Sequence, residues 1–199
     1  MAIISQEELN KIKQIQGKII GFSFREDFEF IKNKKGEEGL RKIERALQDL
    51  GYFFKPDDIK KYQWYPWYQN ILILVLAKNI FHWNEKVFWE WGRFNAKISF
   101  IAKLMMKFFV SFERLLKEAG NYWQRYFTLG KLEVETLNQR ERFTILILKE
   151  FPSHPLFCRE LEGFFWQTAS YVLPKEGLKV EEIECPFQGG KVHRFKISW

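Results

Sequence analysis

The sequence contains little of several residue types that often carry structure or chemistry. Its 199 residues include two cysteines, three histidines and six prolines. Two cysteines, Cys158 and Cys185, are too few for a disulfide framework. Ser-His-Asp groupings, paired carboxylates within an apolar run and phosphate-binding glycine loops are missing. We therefore predict that the protein is not an enzyme.

Long apolar runs are also missing. The longest, from Ile71 to Ala77, is far shorter than the roughly 20 residues that a membrane span needs. The N-terminal residues lack the charged-then-apolar pattern of a secretory signal. These absences predict a cytoplasmic protein without a membrane span.

Aromatic residues, by contrast, are plentiful and make up 18% of the chain. They can form a large aromatic core, line a ligand cavity or cover a buried interface. The net charge is +7, but lysine and arginine are spread along the chain and interleaved with glutamate. We therefore interpret the charge as solvated surface and do not expect nucleic-acid binding.

The periodicity changes once along the chain. Helical spacing dominates up to Gly120, with Asn84 as a candidate N-cap. Alternation then predicts two strands joined through 138–142, a helix with Ser153 as candidate N-cap, and a closing hairpin of 178–185 and 191–199. This order, helices-β-β-α-β-β, predicts an α+β fold in which a helical N-terminal part packs on a small antiparallel sheet. We expect residues 1–35 to form an N-terminal arm or helix and 36–199 to form a single domain.

Four segments carry a resemblance to a known family: "GNYWQRYFTLGKLEVE", "FPSHPLFCRELEGFFWQTA", "VEEIECPFQGG" and "HRFKISW". They resemble the 4-vinyl-reductase-like domain, and "FWEWGR" resembles its glycine-containing helix. The wider ligand-binding superfamily includes haem-based nitric-oxide sensors and vesicle-tethering (TRAPP-type) subunits. The resemblance implies a small-molecule-binding or sensory domain. No redox-cofactor motif accompanies it, so the reductase activity is not expected here.

The resemblance also implies a structural zinc site. Relatives that sense phenolic compounds hold zinc through a helix cysteine, an E-x-x-C pair and a second cysteine. The matching positions in this chain are Cys158, Glu182, Cys185 and His193. Histidine replaces the last cysteine, and both imidazole nitrogen and thiolate are good zinc ligands.

The residues alone leave alternatives to this ligand set. Strict strand alternation places Glu182 on the face opposite Cys185 and Glu181 on the same face, although a bend at Pro186 could change this. His154 lies one helical turn from Cys158 and is an alternative ligand. Both cysteines could also be plain buried side chains.

Haem is the other cofactor that the resemblance raises. Haem-sensing relatives use a proximal histidine and a Y-x-S-x-R motif that holds the propionates. That motif is missing, and His82 is the only histidine in the helical half. A lone histidine is more often a core or capping residue than an axial ligand. We therefore do not expect haem.

We predict that the helical half encloses a cavity for a small hydrophobic or aromatic ligand. Its predicted lining residues are Phe81, His82, Trp83, Phe88, Trp91, Tyr122, Trp123 and Phe127, with Trp89 and Phe100 as further candidates. His82 or Tyr122 would orient the ligand. The alternative is that these rings simply pack on one another.

An alternative function is a dimeric scaffold or adaptor that docks a protein partner without a ligand. Relatives commonly pair through the helical half, so we expect a homodimer. Trp199 follows directly after the last predicted strand, which leads us to expect a separate effector protein in trans.

Overall fold

The computed structural model of the chain describes residues 3–53, 55–99 and 111–199. Its helices are α1 (Gln6–Lys13), α2 (Gly21–Asp49), α3 (Trp67–Phe81), α4 (Glu85–Ile98), α5 (Phe112–Lys117), α6 (Ala119–Trp123) and α7 (Pro155–Ala169). Its strands are β1 (Lys18–Ile20), β2 (Trp64–Pro66), β3 (Lys131–Asn138), β4 (Phe143–Lys149), β5 (Lys179–Glu184) and β6 (His193–Ser198). This order confirms the predicted α+β class. Residues 100–110, including Phe100 and much of the helical segment predicted before Gly120, lie outside the described residues.

The four-stranded sheet has the order β3-β4-β6-β5, with every neighbouring pair antiparallel. Both predicted hairpins are present, and the loop between β3 and β4 lies where the alternation placed it. The last strand is central because β6 pairs with β4 as well as with β5, with Leu146 opposite Phe195. Both of these side chains are buried. The sheet therefore turns an apolar face toward the helices.

Helix α2 is bent at Gly36, whose φ of 66° is not helical. Glycine allows this left-handed φ without the steric penalty that a Cβ atom brings. Phe28 before the bend and Leu47 after it are both buried in the same hydrophobic cluster.

Helices α4 and α7 touch through their backbones at two glycines. A Cβ atom at Gly92 would lie 1.8 Å from the carbonyl oxygen of Glu160, and one at Gly163 would lie 1.9 Å from that of Trp89. No larger residue fits either position without separating the helices. This close crossing brings Asn95, one turn after Gly92, against Glu160 on α7.

Two helix N-termini test the predicted caps. The side chain of Asn84 accepts a hydrogen bond from the backbone N–H of Val87, which confirms that prediction. The prediction of Ser153 was wrong, because His154 is the N-cap of α7 and its Nδ1 accepts from the N–H of Leu156. Pro155 occupies the first turn as expected. Among the described helices, none has the length and apolar character needed to cross a membrane.

Candidate functional site: a cavity with a buried acidic end and a cysteine-histidine cluster

A cavity of about 100 Å³ lies between the helices and the sheet. Most of its described lining is apolar and comes from α5, α6, α7 and the strands. The apolar and aromatic lining residues are Ile19, Phe112, Leu115, Leu116, Ala119, Tyr122, Trp123, Tyr126, Phe127, Leu132, Leu146, Phe157, Leu161, Phe164, Phe165, Ala169 and Ile197. Polar residues from α2, α3, α4 and α7 complete it: Ser23, Glu26, Asp27, Asn70, Asn95, Glu160 and Thr168.

Asp27 is the centre of the polar end and is only 2% exposed. Its Oδ1 accepts hydrogen bonds from Trp91 Nε1 at 2.7 Å and from Asn95 Nδ2 at 2.8 Å. Its Oδ2 accepts from the side-chain amide of Asn70. Helices α3 and α4 therefore both supply donors to one carboxyl on α2, which fixes its position.

Glu160 adds a second carboxyl at the same end. Its Oε1 accepts a hydrogen bond of 3.0 Å from Asn95 Nδ2, so this one amide joins both acids. Burial raises the pKa of Asp27 to about 6, against the opposing effect of its three donors. Burial, and next the negative charge of Asp27, raises the pKa of Glu160 well above its usual range. Such shifts show how poorly this end of the cavity tolerates uncompensated negative charge.

Three of the sequence-predicted pocket residues line the cavity: Tyr122, Trp123 and Phe127. The other five, Phe81, His82, Trp83, Phe88 and Trp91, are not part of its lining. Four of these five pack on one another, for example with the Trp83 and Trp91 rings 5.6 Å apart. His82 ends α3 in a left-handed conformation and is exposed. The four aromatic rings of Phe81, Trp83, Phe88 and Trp91 therefore pack on one another, which was the alternative to a ligand cavity.

The acids and amides of the cavity were missed by sequence reasoning. A signal was present, since Asp27 is three residues after Phe24 and four before Ile31, on the buried stripe of α2. Asn70 likewise precedes an unbroken run of buried aliphatic residues in α3. A polar residue within a buried stripe needs a buried partner, but the sequence does not show which helices supply it.

The second group of interest is a buried cluster near the N-terminus of α7. Cys158, Glu182, Cys185 and His193 place one potential ligand atom each within 4.8 Å of one another. The sulfur atoms of Cys158 and Cys185 are 3.9 Å apart, and Cys158 Sγ lies 3.7 Å from His193 Nδ1. Two sulfurs bound to one tetrahedral ion at 2.3 Å would be about 3.8 Å apart. Burial raises the pKa of both thiols, so a metal would have to displace their protons.

A β-bulge explains how Glu182 enters this cluster. Glu182 pairs with Phe195 and Glu184 with the adjacent Arg194, so Ile183 is an extra residue in β5. The bulge reverses the alternation, and Glu182 then faces the same side as Cys185. The alternation that favoured Glu181 therefore does not apply. His154, the alternative ligand, caps α7 and is not in the cluster.

Glu162 supports the cluster from outside. Its Oε1 accepts a hydrogen bond of 2.8 Å from the backbone N–H of Glu182. Arg159 holds the same carboxylate with two bonds of 3.0 and 2.8 Å. Helix α7 is thus tied to β5 beside the cluster.

No family model matches this chain, and no curated protein matches it. Solved structures do. An oxygen-binding H-NOX domain related to soluble guanylate cyclases, in its oxygen complex, is 13% identical with a TM-score of 0.63, covering 90% of this chain and 94% of the other. An S. oneidensis H-NOX protein in the Fe(II)NO state is 15% identical with a TM-score of 0.64, covering 90% and 98%.

The chain has the H-NOX fold. An H-NOX protein variant from K. algicida gives the same result, with 14% identity, a TM-score of 0.64 and coverage of 90% and 96%. Identities this low show the fold alone. The comparisons agree with the nitric-oxide-sensor part of the predicted resemblance. They give no support to its 4-vinyl-reductase or TRAPP-type parts.

The H-NOX fold corrects the prediction about haem. Haem was not expected because the Y-x-S-x-R motif is missing and because a lone histidine such as His82 is more often a core or capping residue. The neighbours overturn that conclusion, since one is described by its haem redox potential and porphyrin distortion, with 14% identity and a TM-score of 0.60. The fold itself is thus one found in haem proteins. Zinc is shown neither by the structure nor by the comparisons.

The described residues of the cavity do not offer an imidazole to a haem iron. None of the chain's three histidines lines the cavity: His82 is exposed, His154 caps α7 and His193 belongs to the cysteine cluster. The phenols of Tyr122 and Tyr126 do line it, and tyrosine is a known axial ligand. The described residues therefore do not fit a histidine-ligated haem.

Proposed function

We propose that this chain is a non-catalytic, cytoplasmic ligand-binding or sensory domain that holds a small, largely apolar molecule in the cavity beside α7. The cavity carries the proposal, because apolar side chains form most of its lining and polar groups gather at one end. Pockets of this kind bind through apolar area and orient the ligand through a few polar groups. Both cysteines are free thiols, which suits a reducing compartment.

The H-NOX neighbours support the same proposal. Two are described as oxygen-binding and as holding nitric oxide on iron, so this fold serves small-molecule binding in those proteins. A molecule that copurifies with the chain would identify the ligand directly. Native mass spectrometry would detect it, and an absorption spectrum would show whether that molecule is haem.

A cavity-filling variant tests the proposal. Ala119 lines the cavity, so Ala119→Phe should fill part of it and weaken binding of benzene or butan-1-ol at least tenfold in calorimetric titration. Ile183→Phe adds a phenyl ring at an exposed position and should leave affinity unchanged. Equal affinity in both variants, or no binding of any small apolar probe to the wild-type chain, would overturn the proposal.

We also propose that Cys158, Glu182, Cys185 and His193 hold one divalent metal ion in a structural role. Two thiolates, an imidazole and a carboxylate make a closed tetrahedral set with no position left for substrate. The sulfur–sulfur distance of 3.9 Å supports this. His193 and Glu182 are at hydrogen-bonding distance, 2.6 Å, and would have to separate by several tenths of an ångström around an ion.

Partners form the last part of the proposal. We propose that the chain forms a homodimer and passes its ligand-binding state to a separate effector protein. Sedimentation at tens of micromolar (on the order of ordinary assay concentrations) tests the first, because dimerisation depends on protomer concentration. A 24.2 kDa species throughout would contradict the homodimer.

A further inference from the structure

Two buried oxygen atoms at the acidic end of the cavity have no hydrogen-bond partner among the described residues: Glu160 Oε2 and Asn95 Oδ1. Their residues are only 6% and 5% exposed and both line the cavity. Asn95 cannot solve this by rotating its amide, because its Nδ2 already donates to both Asp27 and Glu160. Leaving a buried polar atom unpaired costs about 1–3 kcal/mol. This end of the cavity therefore has two acceptor atoms left for added donors.

The charged groups that line the cavity also favour a ligand that supplies hydrogen-bond donors. Asp27 and Glu160 are carboxyls joined through one amide at this end of the cavity. The described lining contains no lysine, arginine or histidine. Among the described residues, every donor to Asp27 is a neutral amide or indole N–H. Buried carboxylates are normally paired with a positive charge, but the described side chains that donate to Asp27 and Glu160 are all uncharged.

We propose that the ligand of this cavity is a small primary amine, bound as its ammonium ion with the nitrogen between Glu160 Oε2, Asn95 Oδ1 and Asp27. This inference rests on the proposed function and names its ligand class. The alkyl part lies along the apolar wall formed by residues such as Leu116, Phe165 and Ile197.

The donor count selects an amine over other small ligands. An ammonium group has three N–H donors and no acceptor, so it can satisfy both unpaired oxygens and still face a carboxylate. A hydroxyl has one donor and can satisfy only one of them. A carboxylate ligand brings further acceptors to a place that already has unpaired acceptors, and adds a third acid beside Asp27 and Glu160.

The cavity volume limits the size of the amine. At about 100 Å³ it is smaller than a cavity of 150 Å³ that accepts benzene. A ligand of roughly four to six non-hydrogen atoms matches this space. Aromatic rings of Tyr122 and Trp123 also line the cavity and favour a cation near their faces.

Calorimetric titration of the full chain with n-butylamine, butan-1-ol and butyrate at neutral pH tests the proposal. These probes share a short alkyl chain and differ in the polar group. We expect n-butylamine to bind at least tenfold more tightly than butan-1-ol, and butyrate not to bind. If butan-1-ol binds as well as the amine, the amine inference is overturned while the proposed binding function stands. If no probe binds, both are overturned.

Charge-neutral variants locate the amine. Asp27→Asn and Glu160→Gln should each weaken n-butylamine binding at least tenfold and leave butan-1-ol binding within twofold. Glu133→Gln removes one charge from an exposed ion pair on β3 and serves as the control, with no change expected. If circular dichroism shows that one cavity variant is unfolded, the proposal is tested with the other variant and with the three probes on the wild-type chain. An equal loss of affinity for n-butylamine and butan-1-ol, or an unchanged affinity for n-butylamine in both cavity variants, would refute the assignment.

Discussion

His193 Nδ1 lies 2.6 Å from Glu182 Oε1, and both side chains are almost fully buried, at 3% and 5% exposure. The pair is in contact because the bulge at Ile183 turns Glu182 inward. The thiol of Cys158 lies 3.7 Å from the same imidazole nitrogen. A hydrogen-bonded acid–imidazole pair beside two thiols is an arrangement in which a metal ion would replace several protons.

The cluster predicts that metal stabilises the fold. Cys185→Ser should release the ion, and because binding energy at a structural site is folding energy, the free energy of unfolding should fall by several kcal/mol. Thermal unfolding with and without a chelator measures this. The chelator should lower the melting temperature of the wild-type chain and leave the variant unaffected. Elemental analysis that finds no stoichiometric metal after chelator-free purification would contradict the site.

The glycine contact between α4 and α7 gives a second prediction. Helix propensity alone makes Gly163→Ala stabilising by about 1 kcal/mol. The structure reverses the sign, because the new Cβ would lie 1.9 Å from the backbone oxygen of Trp89. We expect Gly163→Ala to lower the free energy of unfolding by about 2–3 kcal/mol.

Urea denaturation checks this prediction. Lys42→Ala, an alanine substitution at an exposed position of α2, is the control and should change stability by no more than about 0.5 kcal/mol. A stabilised Gly163→Ala would show that the helices can separate at no cost.

Asp27 predicts an unusual dependence of stability on pH. Its folded-state pKa is raised from 3.8 to about 6 by burial, despite donors from Asn70, Asn95 and Trp91, and its acidic neighbour is Glu160. As pH rises from about 4 to about 6, the unfolded chain loses this proton first, so the group destabilises the fold by up to about 3 kcal/mol. Asp27→Asn should remove that loss.

The measurement is the difference in unfolding free energy between Asp27→Asn and the wild-type chain at several pH values. The difference should shift in favour of the variant between pH 4 and 6 and then level off (approximate limits from the two ionisations). Glu133→Gln, at an exposed position of β3, is the control variant. A difference that is constant with pH would contradict the buried-acid assignment.

His154 gives a pH dependence of stability opposite in sign to that of Asp27. Burial, and next the charge of Lys78, lowers its pKa to about 4. Below about pH 6.5 the unfolded chain takes up this proton first, so stability is lost as pH falls, by on the order of 2 kcal/mol after allowance for partial exposure.

A matched pair of variants isolates this effect. His154→Asn keeps a side-chain acceptor at the helix N-terminus and should retain stability at acidic pH. His82→Asn changes the same residue type at an exposed left-handed position, which asparagine tolerates, and should not alter the pH profile. If both variants respond to pH alike, the cap is not the titrating group.

Much of the fold could be predicted because it depends on local periodicity. Alternation located β3 and β4, and helical spacing with Pro155 located α7. The N-cap of α7 was harder to predict, because Ser153 and His154 are adjacent and both can cap a helix. The backbone conformation decides which residue is the cap. Phe28 belongs to the main core cluster, and no local pattern encodes which distant residues it packs against.

The sequence by itself determined the composition of the sites: two cysteines, few histidines, and acids within buried stripes. Only the tertiary structure decided which of them meet. A single bulge moved Glu182 to the side of Cys185, and the glycine crossing of α4 and α7 brought Asn95 against Glu160. The physical reason is that helix and strand periodicity follows from neighbours a few residues apart, whereas these sites depend on backbone approaches between segments distant along the chain.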